Sequence, residues 1–101
     1  MNDVAVAAIA ALFAVPARHE PYAPGGEPVY RLDLLGPAEN MVIILWPSLG
    51  RVDVRAGTHS WVLKGVGAVE VIAGVEVVFR SAETPGFLFV AVNGWVSMVS
   101  G

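Results

Sequence analysis

The chain has 101 residues, of which 55% are hydrophobic and 15% charged, and its formal net charge is −3. Its six basic residues are scattered, so no basic run can neutralise several phosphates, and we expect neither nucleic-acid binding nor attachment to an anionic membrane surface. The absence of cysteine excludes disulfides and thiolate metal sites.

The length predicts a single domain that spans residues 1–101. Ordinary soluble domains carry about 25% charged residues, well above the fraction found here. The chain therefore has either an unusually large core for its size or an apolar surface that contacts a partner.

Residues 1–15 predict an N-terminal helix, because residues 4–15 are all apolar and Asn2 or Asp3 can cap the first turn. Pro16 marks the expected end. A secretory signal peptide would need a positive start, and a membrane span needs about 20 residues. We expect a buried helix in a cytoplasmic protein without a membrane span, and secretion remains an open alternative.

This predicted helix has no polar face, and its side chains divide by size. One arc carries the bulky residues Val4, Val6, Ile9, Leu12, Phe13 and Val15, and the other carries Ala7, Ala10, Ala11 and Ala14. The bulky arc is expected to pack on a sheet. The alanine arc either admits a second element, which could belong to another subunit, or faces water, and the sequence leaves both open.

Residues 16–28 are rich in proline and glycine and predict an irregular, extended crossing segment. Residues 29–100 then predict an antiparallel β region of seven or eight strands. The expected fold class is mainly β (α+β), with a short N-terminal helix followed by a rolled sheet, a small barrel or a sandwich.

Four strands are indicated before residue 67. Residues 29–35 alternate in polarity, and Gly36-Pro37 predicts a turn. Residues 41–46 form an unbroken apolar run, typical of a central strand covered on both faces. Residues 51–55 place Val52 and Val54 inward and three charged side chains outward. Residues 61–66 form a strand that bends or bulges near its glycines.

The next hairpin pairs residues 69–71 with residues 75–80. Aligning its valines requires a three-residue loop, Ile72-Ala73-Gly74, with Gly74 in the left-handed conformation. This register places Glu70 opposite Glu76, a mildly unfavourable pair that flanking arginines, either Arg80 or Arg51 and Arg55, would offset.

The last hairpin has the clearest signal, Asn93-Gly94 between two apolar runs. A two-residue turn pairs Val92 with Trp95, Val90 with Ser97, and Leu88 with Val99. The opposite face then carries Phe87, Phe89, Ala91, Val96 and Met98. Both faces are apolar, so we expect each to be covered, one of them by the helix or a second subunit.

The side chains that could take part in catalysis or bind a metal do not form a recognisable site. We therefore predict no catalytic, cofactor-binding or metal-binding residues. His19 and His59 lie forty residues apart without a carboxylate cluster, and Thr58-His59-Ser60 indicates a polar turn. The outward carboxylates, which are Asp33, Asp53, Glu70 and Glu76, are expected on solvated faces. We expect Trp46 in the core, and Trp61 and Trp95 as exposed contacts.

The leading functional hypothesis is a non-catalytic interaction module that self-associates, most simply as a homodimer, through apolar surface of the helix and the C-terminal hairpin. The expected partner is thus a second copy of the chain or another protein. The predicted interface comprises Phe87, Phe89, Val96, Met98, Ala7 and Ala14. The alternative is a small β-barrel that binds an apolar or aromatic molecule inside. An enzyme ranks third, because it requires His19 or His59 to meet a carboxylate in a cleft.

Overall fold

The computed structural model describes residues 2–19, 28–35, 40–82 and 86–100. The turn predicted at Gly36-Pro37 and most of the predicted crossing segment lie outside these ranges. The elements in chain order are α1 (Asp3–Phe13), β1 (Arg18–His19), β2 (Tyr30–Leu34), β3 (Met41–Trp46), a 3-10 turn (Pro47–Leu49), β4 (Arg51–Ala56), β5 (His59–Leu63), β6 (Val66–Ile72), β7 (Glu76–Ser81), β8 (Gly86–Ala91) and β9 (Val96–Ser100).

The nine described strands form two antiparallel sheets in which chain neighbours are also spatial neighbours. Sheet A has the order β1-β2-β3-β4-β5, and sheet B has the order β6-β7-β8-β9. The predicted mainly β class is confirmed, and the sandwich is the correct choice among the three architectures. Because these strands do not close into a barrel, they enclose no barrel interior for the alternative ligand.

One short strand interrupts the segment predicted to be irregular. Arg18 and His19 pair with Arg31 and Tyr30 at the edge of sheet A. Two residues beside Pro16 and Ala17 show no alternation of polarity, so their pairing depends on β2 being in place.

The helix begins at a side-chain cap, where the Ala5 N–H donates to Asn2 Oδ1 over 3.0 Å. The helix ends at Phe13, before the end predicted at Pro16, because Ala14 adopts the left-handed conformation with φ of 56°. The Val15 N–H then donates to the Ala10 carbonyl, an arrangement that satisfies the last carbonyls of the helix.

The helix packs against β2 and β6 and thereby contacts both sheets. Val6 and Ile9 enter the core, whereas Val4, expected on the packed arc, is 75% exposed. Ala7 and Ala11 are exposed as well. Within the described chain, most of the alanine arc therefore faces solvent.

Both sheets contribute to one apolar core. Its fully buried members are Ile9, Leu32, Ile43, Leu45, Val52, Val54, Val77, Phe79, Leu88 and Val90. The strand members lie at alternate positions, as expected for one inward face per strand. Gly50, left-handed with φ of 62°, accepts a 2.7 Å hydrogen bond from the Val66 N–H and so ties the β3–β4 connection to sheet B.

The β6–β7 hairpin has a different register from the predicted one. Ile72 pairs with Glu76, and Glu70 pairs with Val78, so the predicted Glu70–Glu76 pair is wrong. The chain turns through Ala73 and Gly74, which have φ of 54° and 66°, and Val75 joins the loop. The left-handed Gly74 is confirmed. A register shift between Val66 and Ala68 confirms the irregularity predicted beside the glycines. The predicted strand 61–66 is wrong, however, because β5 ends at Leu63 in sheet A and β6 begins at Val66 in sheet B.

The β8–β9 hairpin also differs from its prediction, because three residues rather than two form its loop. The Gly94 N–H donates to the Ala91 carbonyl, and the Ala91 N–H donates to the Trp95 carbonyl. Gly94 has a φ of 92°, as in a turn followed by a G1 bulge. The Val92 N–H donates to the Val75 carbonyl over 2.8 Å, which holds Val92 in the loop instead of in β8.

This extra loop residue shifts the register by one and turns β9 over. Val90 pairs with Val96, and Leu88 pairs with Met98. Because paired residues share a face, Val96 and Met98 lie inward and Ser97 and Val99 lie outward. The predicted grouping of Val96 and Met98 with Phe87 and Phe89 is therefore wrong.

Candidate interaction surface

The outward face of sheet B is the strongest candidate for a binding surface, and we call it the outer B face. It consists of three rows of residues paired across strands. From the loop end they are Ile72, Glu76 and Ala91; then Glu70, Val78, Phe89 and Ser97; then Ala68, Arg80, Phe87 and Val99. Trp95 extends the first row through its hydrogen bond with Ala91.

Val78 is the residue that makes this face unusual. It is fully buried, yet it lies outside the core shared by the two sheets. Its paired neighbours are Glu70 on β6 and Phe89 on β8. Phe89 is half-buried and packs against Phe87, with ring centroids 6.1 Å apart. The outer B face therefore has its own small apolar centre, opposite the main core.

Arg80 lies over this apolar centre. Its guanidinium is 4.7 Å from the centroid of the Phe87 ring, and one of its nitrogens is 3.4 Å from a carboxylate oxygen of Glu70. Arg80 thus forms an ion pair with Glu70 alone, because the pair of Glu70 and Glu76 that it was predicted to offset does not form. The ion pair is exposed and contributes little to stability, so the contact mainly keeps the guanidinium against the aromatic ring.

A concave pocket of about 540 Å³ opens at the loop end of the outer B face. Its walls are formed by Val75, Glu76, Ala91, Val92, Asn93 and Trp95. Trp95 is 67% exposed, which confirms its prediction as an exposed side chain. Within the described part of the chain, the Glu76 carboxylate has no hydrogen bond or ion pair. A carboxylate between apolar walls and an indole suits a cation with an apolar stem.

The six predicted interface residues do not form one surface. Phe87 and Phe89 lie on the outer B face, and Val96 and Met98 lie on the inner face of the same hairpin. Ala7 is exposed on α1, and Ala14 is exposed where that helix ends. The interface role of all six stays a prediction, and the structure favours the two phenylalanines.

Sequence reasoning missed Val78 and Val99 as members of this surface. For Val78 a signal existed, since Val77-Val78-Phe79 is an unbroken apolar run and such runs predict a strand covered on both faces. For Val99 none existed, because its face depends on the length of the β8–β9 loop.

The predicted positions of the other two tryptophans, Trp46 in the core and Trp61 as an exposed contact, are both wrong. Trp46 is half-buried outside the core, on the outer face of sheet A, with the Arg51 guanidinium 4.8 Å from its ring centroid. Trp61 packs against the core and stacks with His59 at 6.0 Å. Both positions follow from the register of sheet A, in which Trp61 pairs with the inward Val54.

The outer face of sheet A is a charged counterpart to the outer B face. Asp53 points outward as predicted, but it is only 2% exposed. Arg51 donates to both of its carboxylate oxygens, over 2.9 and 3.2 Å, and an Arg55 nitrogen lies 3.8 Å away. The hydrogen bond and the charge of Asp53 raise the pKa of Arg51 above its usual value. These arginines replace the water that a solvated carboxylate would bind.

Asp53→Ala is expected to lower the free energy of unfolding by about 2 kcal/mol, because Arg51 loses a two-point charged hydrogen bond. Asp33→Ala is the matched control, since Arg31 contacts Asp33 at 3.1 Å across the same spacing but both side chains are nearly half exposed. We expect this control to lose less than about 1 kcal/mol. Urea unfolding of both variants measures the difference, and equal losses would contradict the assigned role of burial.

The residues considered for catalysis do not assemble in the described parts of the chain. His19 contacts the edge of Tyr30, and His59 stacks on Trp61. Neither histidine forms an ion pair with a described carboxylate, and no group of three metal-ligating side chains lies together in these ranges. The candidate catalytic residues in these ranges therefore do not meet in one site.

Comparisons with protein families, curated proteins and solved structures found no match to this chain. The described ranges contain no helix long and apolar enough to cross a bilayer.

Proposed function

We propose that this chain is a non-catalytic interaction module that pairs with a second copy of itself through the outer B face. The observation that supports this most directly is a set of accessible apolar side chains on a sheet face turned away from the core, in which Trp95 and Val99 are exposed and Phe87 and Phe89 are half-buried around the buried Val78. Val78 itself is already covered, but its apolar neighbours on this face lie outside the main core and keep accessible surface that can contact a partner.

The contrast between the two outer faces favours sheet B as the contact. The outer face of sheet A also carries apolar side chains, which are Val42, Ile44, Trp46 and Val62, but five charged residues that form ion pairs are spread among them. Two of these charged residues, Arg31 and Asp53, lie in its middle row, whereas the middle row of the outer B face has only Glu70, at its edge. The outer B face carries three charged side chains at its ends and edge, around an apolar middle. Interfaces combine an apolar centre with a polar rim in this way.

The size of the face indicates a weak dimer. Four strands spaced about 4.8 Å apart and five residues long cover roughly 19 by 17 Å. Specific interfaces bury about 800 Å² on each partner. This face approaches that area only if the loop residues Val75, Val92 and Trp95 also take part. We therefore expect a dissociation constant in the micromolar range, which corresponds to a free energy of association of about −8 kcal/mol.

Analytical ultracentrifugation between about 1 and 100 µM tests the proposal, because this range brackets a micromolar constant. We expect the weight-average mass to rise from the monomer value of 10.6 kDa towards twice that value. A mass that stays at the monomer value throughout would overturn the proposed function.

A further inference from the structure

We propose that the two copies are related by a two-fold axis that crosses the strands of sheet B, so that Arg80 of each copy enters the pocket beside Glu76 of the other. This inference rests on the proposed function and specifies which residues meet. It follows from the arrangement of charge and size on the outer B face.

The charges on β7 are the first argument. Glu76 and Arg80 stand at opposite ends of the outer face, with Val78 between them. A two-fold axis in the plane of the interface, passing through the Val78 row, exchanges the first and third rows of the partner. Glu76 of each copy then lies opposite Arg80 of the other, and a two-fold interface repeats this pair twice.

The other simple orientation lacks this match. An axis parallel to the strands leaves the rows in place and sets β7 of one copy over β8 of the other. Glu76 would then cover Ala91, and Arg80 would cover Phe87, so both charges would lose water without gaining an opposite charge. Such burial of an unpaired charge is strongly unfavourable.

Side-chain size supports the same axis. The exchange of rows sets Phe87 against Ala91 and Trp95 against Val99, so at each of these positions a large side chain faces a smaller one. Ile72 faces Ala68 in the same way. Sheets that pack face to face interdigitate their side chains, and this alternation of size allows it.

The pocket completes the fit. Arg80 has an apolar stem and a guanidinium with five N–H donors. One guanidinium nitrogen lies 3.4 Å from Glu70, and the other nitrogens can donate to a partner. The pocket offers the Glu76 carboxylate, the exposed Trp95 ring and the apolar walls of Val75 and Val92. A guanidinium can bind the carboxylate and stack on the indole at the same time.

Charge reversal in separate chains tests this pairing. In homodimers of Glu76→Arg or of Arg80→Glu, like charges would meet at both symmetric positions, so we expect each variant to dimerise at least about tenfold more weakly than the wild type. When the two variants are mixed, both positions of the heterodimer carry opposite charges. We expect ultracentrifugation and native mass spectrometry of the mixture to show a heterodimer with an affinity near that of the wild type.

Two controls separate this contact from others. Glu70→Gln removes the contact of Arg80 within its own chain and also the like charge that the partner's Glu70 meets in the middle row. We therefore expect this variant to dimerise at least as tightly as the wild type, in contrast to the reversal variants. A mixture of Arg31→Glu with Asp33→Arg reverses a comparable pair on the outer face of sheet A and should behave as the wild type, both alone and mixed. If a reversal variant fails to fold, Glu76→Gln and Arg80→Gln replace it, and the double variant is then expected to weaken dimerisation no more than either single one.

The outcomes distinguish the two proposals. A wild-type chain that remains monomeric overturns the proposed function and this inference together. A wild-type dimer whose reversal variants do not recover on mixing overturns the inference alone and leaves self-association standing. Recovery on mixing supports both.

Discussion

Phe79→Ala is expected to lower the free energy of unfolding by about 3–5 kcal/mol, the largest stability effect that we predict. Phe79 is fully buried on β7, an inner strand of sheet B, and its pairs are Val69 and Leu88. Removing the ring loses its transfer free energy and leaves a cavity that rigid strands cannot close. A domain of this size has about 5–15 kcal/mol of stability in total, so a large share would be lost.

Urea unfolding monitored by far-UV circular dichroism measures this loss. Phe79→Leu is the matched control, because it keeps most of the volume and is expected to lose less than about 1.5 kcal/mol. Equal losses in the two variants, or a loss below about 1 kcal/mol for alanine, would contradict the position of Phe79 at the centre of the core.

Phe89→Glu is expected to raise the dissociation constant of the dimer by at least about thirtyfold, which corresponds to about 2 kcal/mol. Phe89 lies in the middle row of the outer B face, next to the buried Val78. A carboxylate there would lose water on association without an opposite charge at the same position of the partner, since the two-fold axis sets this row against itself.

Leu49→Glu is the control for Phe89→Glu, because Leu49 is 57% exposed in the 3-10 turn and the substitution adds the same charge away from sheet B. Concentration-dependent ultracentrifugation of the two variants, with thermal melts to verify folding, makes the comparison. A third variant, Ala7→Glu, tests the predicted contribution of the helix. If Ala7→Glu dissociates the dimer and Phe89→Glu does not, the contact lies on α1 and the outer B face is the wrong surface.

The contrast between Phe79 and Phe89 shows where sequence reasoning succeeds and where it stops. Both residues lie in apolar strand segments, and alternation correctly places Phe79 on the same face as Val77. The sequence also separates Phe89 from Leu88, because neighbours on a strand point to opposite sides. It contains no signal for which of these two faces meets the core, since both faces of β8 are apolar.

The pairing partners were harder to predict than the faces within each strand. Asn93-Gly94 correctly indicated a hairpin, but the hydrogen bond from Val92 to Val75 lengthened the loop by one residue. A change of one residue moves every side chain of β9 to the other face, and so Val96 and Met98 exchanged places with Ser97 and Val99. The bond joins two loops seventeen positions apart, and no local pattern encodes such a contact.

Asp53 illustrates the same limit for burial. Its outward direction followed from the alternation of β4, yet its burial depends on where two long arginine side chains lie. Polarity along a strand predicts direction, whereas accessibility depends on what neighbouring side chains cover.

By itself, the sequence determined the mainly β class, the N-terminal helix with a side-chain cap at Asn2 or Asp3, the absence of cysteine chemistry and the inward face of most central strands. These features depend on composition and on residues a few positions apart, where backbone geometry alone sets the period of two or 3.6. Only the tertiary structure decided the division into two sheets, the register of both sheet B hairpins and the gathering of Val78, Phe87, Phe89 and Arg80 on one face. These depend on contacts between distant segments, whose free energies a local pattern does not contain.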